Sequence, residues 1–203
     1  MVIEKIVVGE FETNCYIVGC EKIKKAIIID PGDEYEKISK LLAKLNLTPE
    51  IIINTHGHID HIGVNDKFNL PVYIHQLDEV FLKDPSKNLS VFFKIPYTFS
   101  SKNIKLVKDK DVIKLSSISL KVIHTPGHTP GSISLLMEKE KISFTGDTLF
   151  SSGIGRTDFP DGSEEKILKS IKEKLFILPD ETIIYPGHGS SSTIGEEKKN
   201  FDF

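Results

Sequence analysis

Residues 51–61 read Ile-Ile-Ile-Asn-Thr-His-Gly-His-Ile-Asp-His, an apolar run followed by His56, His58, Asp60 and His61 within six positions. Three consecutive isoleucines running into a polar turn read as a buried strand. So dense a group of imidazole and carboxylate is hard to explain as packing, because such groups are buried only when paired or holding a metal. Four ligand-type side chains also exceed what one ion needs from a short loop. Their spacing divides them. His56 and His58 alternate and can reach one ion, whereas His61 falls on the other phase and would serve a second ion with Asp60.

The same grammar, an apolar strand and then a turn with a ligand-type residue, recurs three times downstream. His128 follows the run 118–123, Asp147 follows 142–145 and His188 follows 183–185. Glycine accompanies each turn, as Gly57, Gly127, Gly146, Gly187 and Gly189, and it permits close backbone approach. One sheet edge carrying all these strand ends would gather five histidines and two aspartates. Seven nitrogen and oxygen ligands suit two ions sharing a bridge, and Asp147, with two carboxylate oxygens, is the natural bridge. Imidazole and carboxylate suit borderline divalent metals, zinc first, with iron or manganese as alternatives. Of the two remaining histidines, His124 continues the inward phase of Ile118, Leu120 and Val122 and reads as a core-edge residue, with orientation of a ligand as the alternative. His75 reads as structural or surface.

Further out, short β-branched runs at 3–8, 16–18 and 26–29 predict strands. Ile38, Leu41, Leu42 and Leu45 predict an amphipathic helix over 34–46. A strand at 72–74 precedes a polar helix predicted over 76–83. Segment 84–103 interleaves prolines with Phe92, Phe93, Tyr97 and Phe99, which either anchor a loop to the core or line a substrate mouth. Strands follow at 104–107 and 118–123, then a turn at 125–131 and a hairpin of 132–137 with 141–145. Ser163 before Glu164-Glu165 reads as an N-cap for a helix over 163–177, and 183–185 is the last strand. Strands in two groups, each followed by helices, predict two sheets sandwiched between helical layers.

At 203 residues the chain fits one domain, and 39% hydrophobic with 27% charged residues is ordinary for a globular protein. A net charge of −3 shows no basic excess for nucleic acid. The N-terminal segment lacks a signal-peptide h-region, and no apolar run approaches the ~18 residues of a membrane span. Cys15 and Cys20, five apart in one strand, would face opposite sides, so two free thiols and a cytoplasmic location are expected. Arg156 is the single arginine among 26 basic residues, which singles it out as a position where a planar fork is wanted.

These motifs resemble the metallo-β-lactamase superfamily: Thr55–His61, the run 124–132 (His-Thr-Pro-Gly-His-Thr-Pro-Gly-Ser), Gly146-Asp147-Thr148-Leu149-Phe150, and Pro186-Gly187-His188. The resemblance runs over nearly the whole chain and implies an αββα sandwich, α/β (α+β) in class, with two mixed sheets flanked by helices. It implies His56, His58 and His128 on one metal, and Asp60, His61 and His188 on the other, with Asp147 between them. Within the superfamily, 146–150 followed by Gly153-Ile154-Gly155-Arg156-Thr157-Asp158-Phe159 is similar to the glyoxalase II-related hydrolases of the short bacterial type, which cleave S-acylglutathione thioesters. Two departures bear on glutathione recognition. Only about fifteen residues follow His188, so the C-terminal helical domain of the long enzymes is missing, and Asp158 stands where their glycine-rich loop offers a tyrosine.

The mechanism then expected uses hydroxide supplied at neutral pH by metal, which lowers the pKa of water from 15.7 to about 7. Asp60 would orient the nucleophile and take its proton. Arg156 would pair either with a substrate carboxylate or, structurally, with Asp158 or Asp161. A small-molecule thioester is the expected partner. The same Gly-Arg-Thr-Asp-Phe run also occurs in persulfide dioxygenases, which use one iron in this fold, and that is the main rival. A metal-stabilised binding module is the non-enzyme alternative, disfavoured because structural zinc sites are closed four-ligand cages.

Overall fold

The isoleucines of the first third are buried on both faces of their strands, which demands a layer on each side of the sheet. Ile27, Ile28 and Ile29 are each fully buried, yet successive side chains point to opposite faces. Ile28 joins a cluster with Ile38, Leu42 and Ile52, while Ile27 and Ile29 join another with Tyr16, Ile53, Leu120, Leu135 and Phe144.

The computed structural model describes residues 1–201. One sheet runs in chain order through β1 (Val2–Val8), β2 (Thr13–Cys20), β3 (Lys25–Ile29), β4 (Thr48–Ile53), β5 (Val72–His75) and β6 (Ile104–Val107). Its first three strands are antiparallel, and the pairs from β3 to β6 are parallel. Helix α1 (Tyr35–Lys44) makes the crossover between β3 and β4 and lays Ile38 and Leu42 on the outer face. The second sheet contains β7 (Val112–Leu115), β8 (Ile118–His124), β9 (Ile133–Met137) and β10 (Ile142–Gly146). After a hairpin of β11 (Leu149–Phe150) and β12 (Gly153–Ile154), it is completed by β13 (Ile183–Pro186) and β14 (Ser192–Thr193), in the order β14-β13-β10-β9-β8-β7. It is also mixed, with β10 and β13 parallel. Helices α2 (Glu164–Ser170) and α3 (Ile194–Asn200) cover its outer face, where Ile167, Ile171 and Ile194 cluster with Ile184 of β13. The layers are therefore helix, sheet, sheet, helix, as expected.

This topology collects the ligand-bearing turns. Strands β3 and β4 are parallel, as are β10 and β13, so each pair ends on one edge. Strand β8 is antiparallel to β9, which is antiparallel to β10, so β8 ends on the same edge as β10. The sheets are tied there by backbone bonds from Ile133 N to the Thr55 carbonyl (2.8 Å) and from Asn14 N to the Gly187 carbonyl (2.7 Å).

Several local expectations need correction. The helix expected over 76–83 is present but as a 3₁₀ helix, Gln76–Leu82, and it is less polar than read, with Asp78, Phe81 and Leu82 buried. The helix over 163–177 is α-helical only to Ser170 and continues as a π turn, closed by Phe176 N bonding the Ile171 carbonyl. Its N-cap is as read, with Ser163 Oγ accepting from Lys166 N. Segment 84–103 divides between its two readings: Phe99 is buried in the core, whereas Leu89 and Phe93 line a cleft. Cys15 and Cys20 fall into different core clusters and are free, as their spacing implied.

Phe144 is fully buried between the sheets, with its ring 5.1 Å from Tyr16 and 5.5 Å from Tyr185. We expect Phe144→Ala to cost about 3–5 kcal/mol in urea unfolding. A loss under about 1 kcal/mol would mean that the layer collapses freely around the gap.

Candidate metal centre

All seven side chains singled out in the sequence converge on the shared edge. Their ligand atoms fall into three overlapping groups, each within 4.8 Å: His56, His58 and His128; His56, His61 and Asp147; Asp60, His61 and His188. His58 Nδ1 lies 2.8 Å from His128 Nε2, and His61 Nε2 lies 3.4 Å from His188 Nε2. Asp147 faces both ends, with Oδ2 3.6 Å from His128 Nε2 and 3.5 Å from His188 Nε2. His56, His58, His61, His128 and Asp147 are buried, whereas Asp60 and His188 are partly open.

Each imidazole except that of His58 is gripped by its far nitrogen, which turns the other nitrogen inward. His128 Nδ1 donates to the Arg156 carbonyl (2.7 Å), and His188 Nδ1 to the Phe11 carbonyl (3.0 Å). His61 Nδ1 donates to Asp30 Oδ2 (3.0 Å). His56 Nδ1 sits 3.2 Å from Thr55 Oγ1, whose hydroxyl in turn donates to Asp30 Oδ2 at 2.6 Å. Asp30 thus orients two ligands, one directly and one through Thr55. It was not among the residues expected from sequence, although Ile27-Ile28-Ile29-Asp30-Pro31-Gly32 repeats the strand-then-turn grammar of the ligand segments.

The turn carrying His188 is held from the opposite sheet. Asn14 Nδ2 donates to the carbonyls of Pro186 and Gly189, and the Tyr16 hydroxyl donates to Pro186 at 2.6 Å. Thr13 Oγ1 donates to Asp60 Oδ2 at 3.1 Å. Glycine is obligatory at 187, where a Cβ would lie 2.1 Å from Asp147 Oδ1.

Electrostatically the two ends differ. Burial pulls the His58 imidazole down to about 3, with His128 adding to the effect, so it is neutral at pH 7. For His188, burial pulls the same way, but hydrogen bonds to Asp147 and Asp60 outweigh it and carry the ring up to about 9. Burial opposes ionisation of Asp60, yet His61 and His188 hold its carboxyl well below the usual range. His56 Nε2 and Asp147 Oδ1 are buried with no hydrogen-bond partner, which is costly unless something else binds them. Divalent cations at these groups would satisfy both atoms, and the donor set is nitrogen and oxygen as such ions prefer. The residues fit the group that the motifs imply.

Above the ligands opens a cleft of about 340 Å³, lined on its walls by Phe11, Leu89, Phe93, Phe150, Phe159 and Arg156. Arg156 is exposed. It makes a bidentate pair with Asp158 (2.9 and 2.8 Å) and lies 4.3 Å over the Phe159 ring. Lys87 joins the two rims by pairing with Asp161 at 2.6 Å. His124 is half-buried at a strand end, and its Nε2 donates to the Pro130 carbonyl, propping the turn that carries His128. His75 is buried and stacks on His124 at 4.1 Å, so it is structural and not a surface residue.

Known proteins share this fold. A family model described as Metallo-beta-lactamase superfamily matches residues 8–188. The hydroxyacylglutathione hydrolase GloC of Haemophilus influenzae is 36% identical over 208 residues, covering 100% of this chain and 98% of GloC. The crystal structure of the BLEG-1 B3 metallo-beta-lactamase superposes with a TM-score of 0.91 at 37% identity, covering 98% of this chain and 97% of that one. TTHA1623, in a di-iron-bound form, gives a TM-score of 0.84 at 30% identity, covering 97% and 98%. With its sandwich of two mixed sheets and its converging histidines and aspartates, the chain belongs to the metallo-β-lactamase superfamily.

Proposed function

We propose that this protein is a thioesterase of the glyoxalase II type that cleaves S-acylglutathione-like thioesters. In this reading residues 1–203 act as one metallo-β-lactamase-type domain. The observation that carries it is the position of Asp147, whose carboxylate adjoins both ligand groups at the floor of an open cleft. His56, His58 and His128 would hold one divalent ion, and Asp60, His61 and His188 another, with Asp147 between. Such ions, zinc first and iron or manganese as alternatives, would supply hydroxide at neutral pH and polarise the carbonyl. The name of GloC supports the substrate class, and the di-iron form of TTHA1623 supports a two-ion centre.

The chain's own residues do the rest. Asp60 lines the cleft with its Oδ2 steadied by Thr13, and its task is to orient the attacking water and accept the proton. The departing thiol has a pKa of about 8.5, so it leaves as thiolate without a strong general acid. The phenylalanine walls bury the apolar part of the substrate and exclude water. Arg156 receives a substrate carboxylate. Its pair with Asp158 is fully exposed and so is cheaply exchanged. Among the described residues no helix is long and apolar enough to cross a membrane, and two free thiols suit a reducing cytoplasm.

Metal analysis of protein from its native host should give two ions per chain, with turnover of S-lactoylglutathione in a thioester panel. One iron per chain with oxygen uptake on glutathione persulfide would overturn the reading, as would a β-lactam turned over in preference to every thioester. Saturating the metal-free protein at 100 times the dissociation constant should raise its unfolding free energy by about 2.7 kcal/mol, measured by denaturant titration. Asp147→Ala should abolish turnover and keep the circular dichroism of the fold. Unfolding of that variant, with no turnover detectable in the parent, would favour a metal-stabilised binding module. Arg156→Ala should raise KM roughly tenfold with little change in kcat, and an unchanged KM would exclude Arg156 from substrate binding.

A further inference from the structure

One buried carboxylate outside the ligand set touches both turns of the three-histidine group. Asp78 lies in the 3₁₀ stretch Gln76–Leu82 and is fully buried. Its Oδ2 accepts from Gly57 N (3.0 Å) and from Thr129 Oγ1 (2.7 Å), and its Oδ1 accepts from Gly131 N (2.6 Å). Gly57 separates His56 from His58, and Thr129 follows His128. The first turn follows β4 of one sheet and the second follows β8 of the other, so a single side chain spans the two layers. The three donors are neutral, and a buried carboxylate held only by neutral donors is costly unless its charge serves something nearby.

The fit around this side chain is close. A Cβ on Gly131 would lie 2.5 Å from Asp78 Oδ1, and one on Gly57 would lie 2.3 Å from Phe81 Cβ in the same stretch. Both turns are therefore seated on the segment with no room for a side chain at either glycine. Among the described residues the three-histidine group includes no carboxylate of its own, so a negative charge behind the turns favours a dication there.

We propose that Asp78 is a positioning residue: it clamps the His56–His58 turn to the His128 turn and sets the metal affinity of the three-histidine half of the centre. This rests on the metal-centre reading above. Asp78 touches no ligand of the Asp60, His61 and His188 group through its hydrogen bonds, so its effect is confined to one half. Asparagine is the sharp test. It keeps the shape but removes the charge and turns an NH₂ group toward a donor.

The experiment is a cobalt(II) titration of metal-free full-length protein against a competing chelator, followed by d–d absorption. His58→Ala and His188→Ala identify which binding step belongs to which half. Asp78→Asn should weaken the step that His58→Ala abolishes by about 10- to 100-fold, and leave the step that His188→Ala abolishes within about threefold. Thr129→Val removes one of the three donors and should shift the same step in the same direction by less; it carries the test should Asp78→Asn fail to fold. A merely structural role would lower both steps together or neither, and either result overturns the proposal. If the parent protein itself takes no ion into the three-histidine half, the metal-centre reading falls with it. If the parent takes two ions and the variants match it, the clamp alone is refuted.

Discussion

The carboxylate of Asp30, buried at the end of β3, accepts from Thr55 N at 2.7 Å, from Thr55 Oγ1 at 2.6 Å and from His61 Nδ1 at 3.0 Å. The rest of the ligand edge is built from this constraint. It fixes where the chain leaves β4, and it aims His61 directly and His56 through the threonine hydroxyl. Because β3 and β4 are parallel neighbours, the anchor is as rigid as the sheet itself. Ligands on a loop held this way lose little freedom when they bind an ion, which is the physical meaning of preorganisation.

The second sheet must then deliver His128, Asp147 and His188 to the same place. It does so by close backbone approach and not by long side chains. Gly127 packs on the start of α2, where a Cβ would lie 2.3 Å from Ile167 N, and Gly187 passes beside Asp147. The result concentrates imidazoles and carboxylates where water is scarce. Such a group is tolerable when its charges are matched, and the mesh of Asp60, Asp147, His61 and His188 contacts contributes to that match.

The convergence of these seven side chains was legible in the sequence because its signal is local and chemically rare. Histidines at 56, 58 and 61 with an aspartate at 60 have few explanations, and each distant ligand repeats the strand-then-turn pattern. The layered architecture was legible for a similar reason, since unbroken isoleucine runs need cover on both faces. What escaped was whatever takes its meaning from a tertiary partner. Asp30 looks like an ordinary turn residue until Thr55 and His61 arrive from another strand. Residues 76–83 have the polarity of a surface helix but are pressed into 3₁₀ geometry beneath two turns. Strand β7 is four residues long and exists by pairing with β8. Helix α3, capped by Thr193 Oγ1 accepting from Glu196 N, is short and buries chiefly Ile194 and Glu197.

The Tyr16, Phe144 and Tyr185 rings between the sheets have a consequence beyond cohesion. The hydroxyl of Tyr16 is bonded to the carbonyl of Pro186, two residues before His188, and Phe144 lies on the strand that ends just before Asp147. The aromatic layer therefore acts as a spacer gauge. Its thickness is transmitted along two short lengths of backbone to the gap between ligands that come from different sheets. In this architecture core packing and coordination geometry are one mechanical quantity, and a change in side-chain volume deep in the sandwich alters the spacing at the rim.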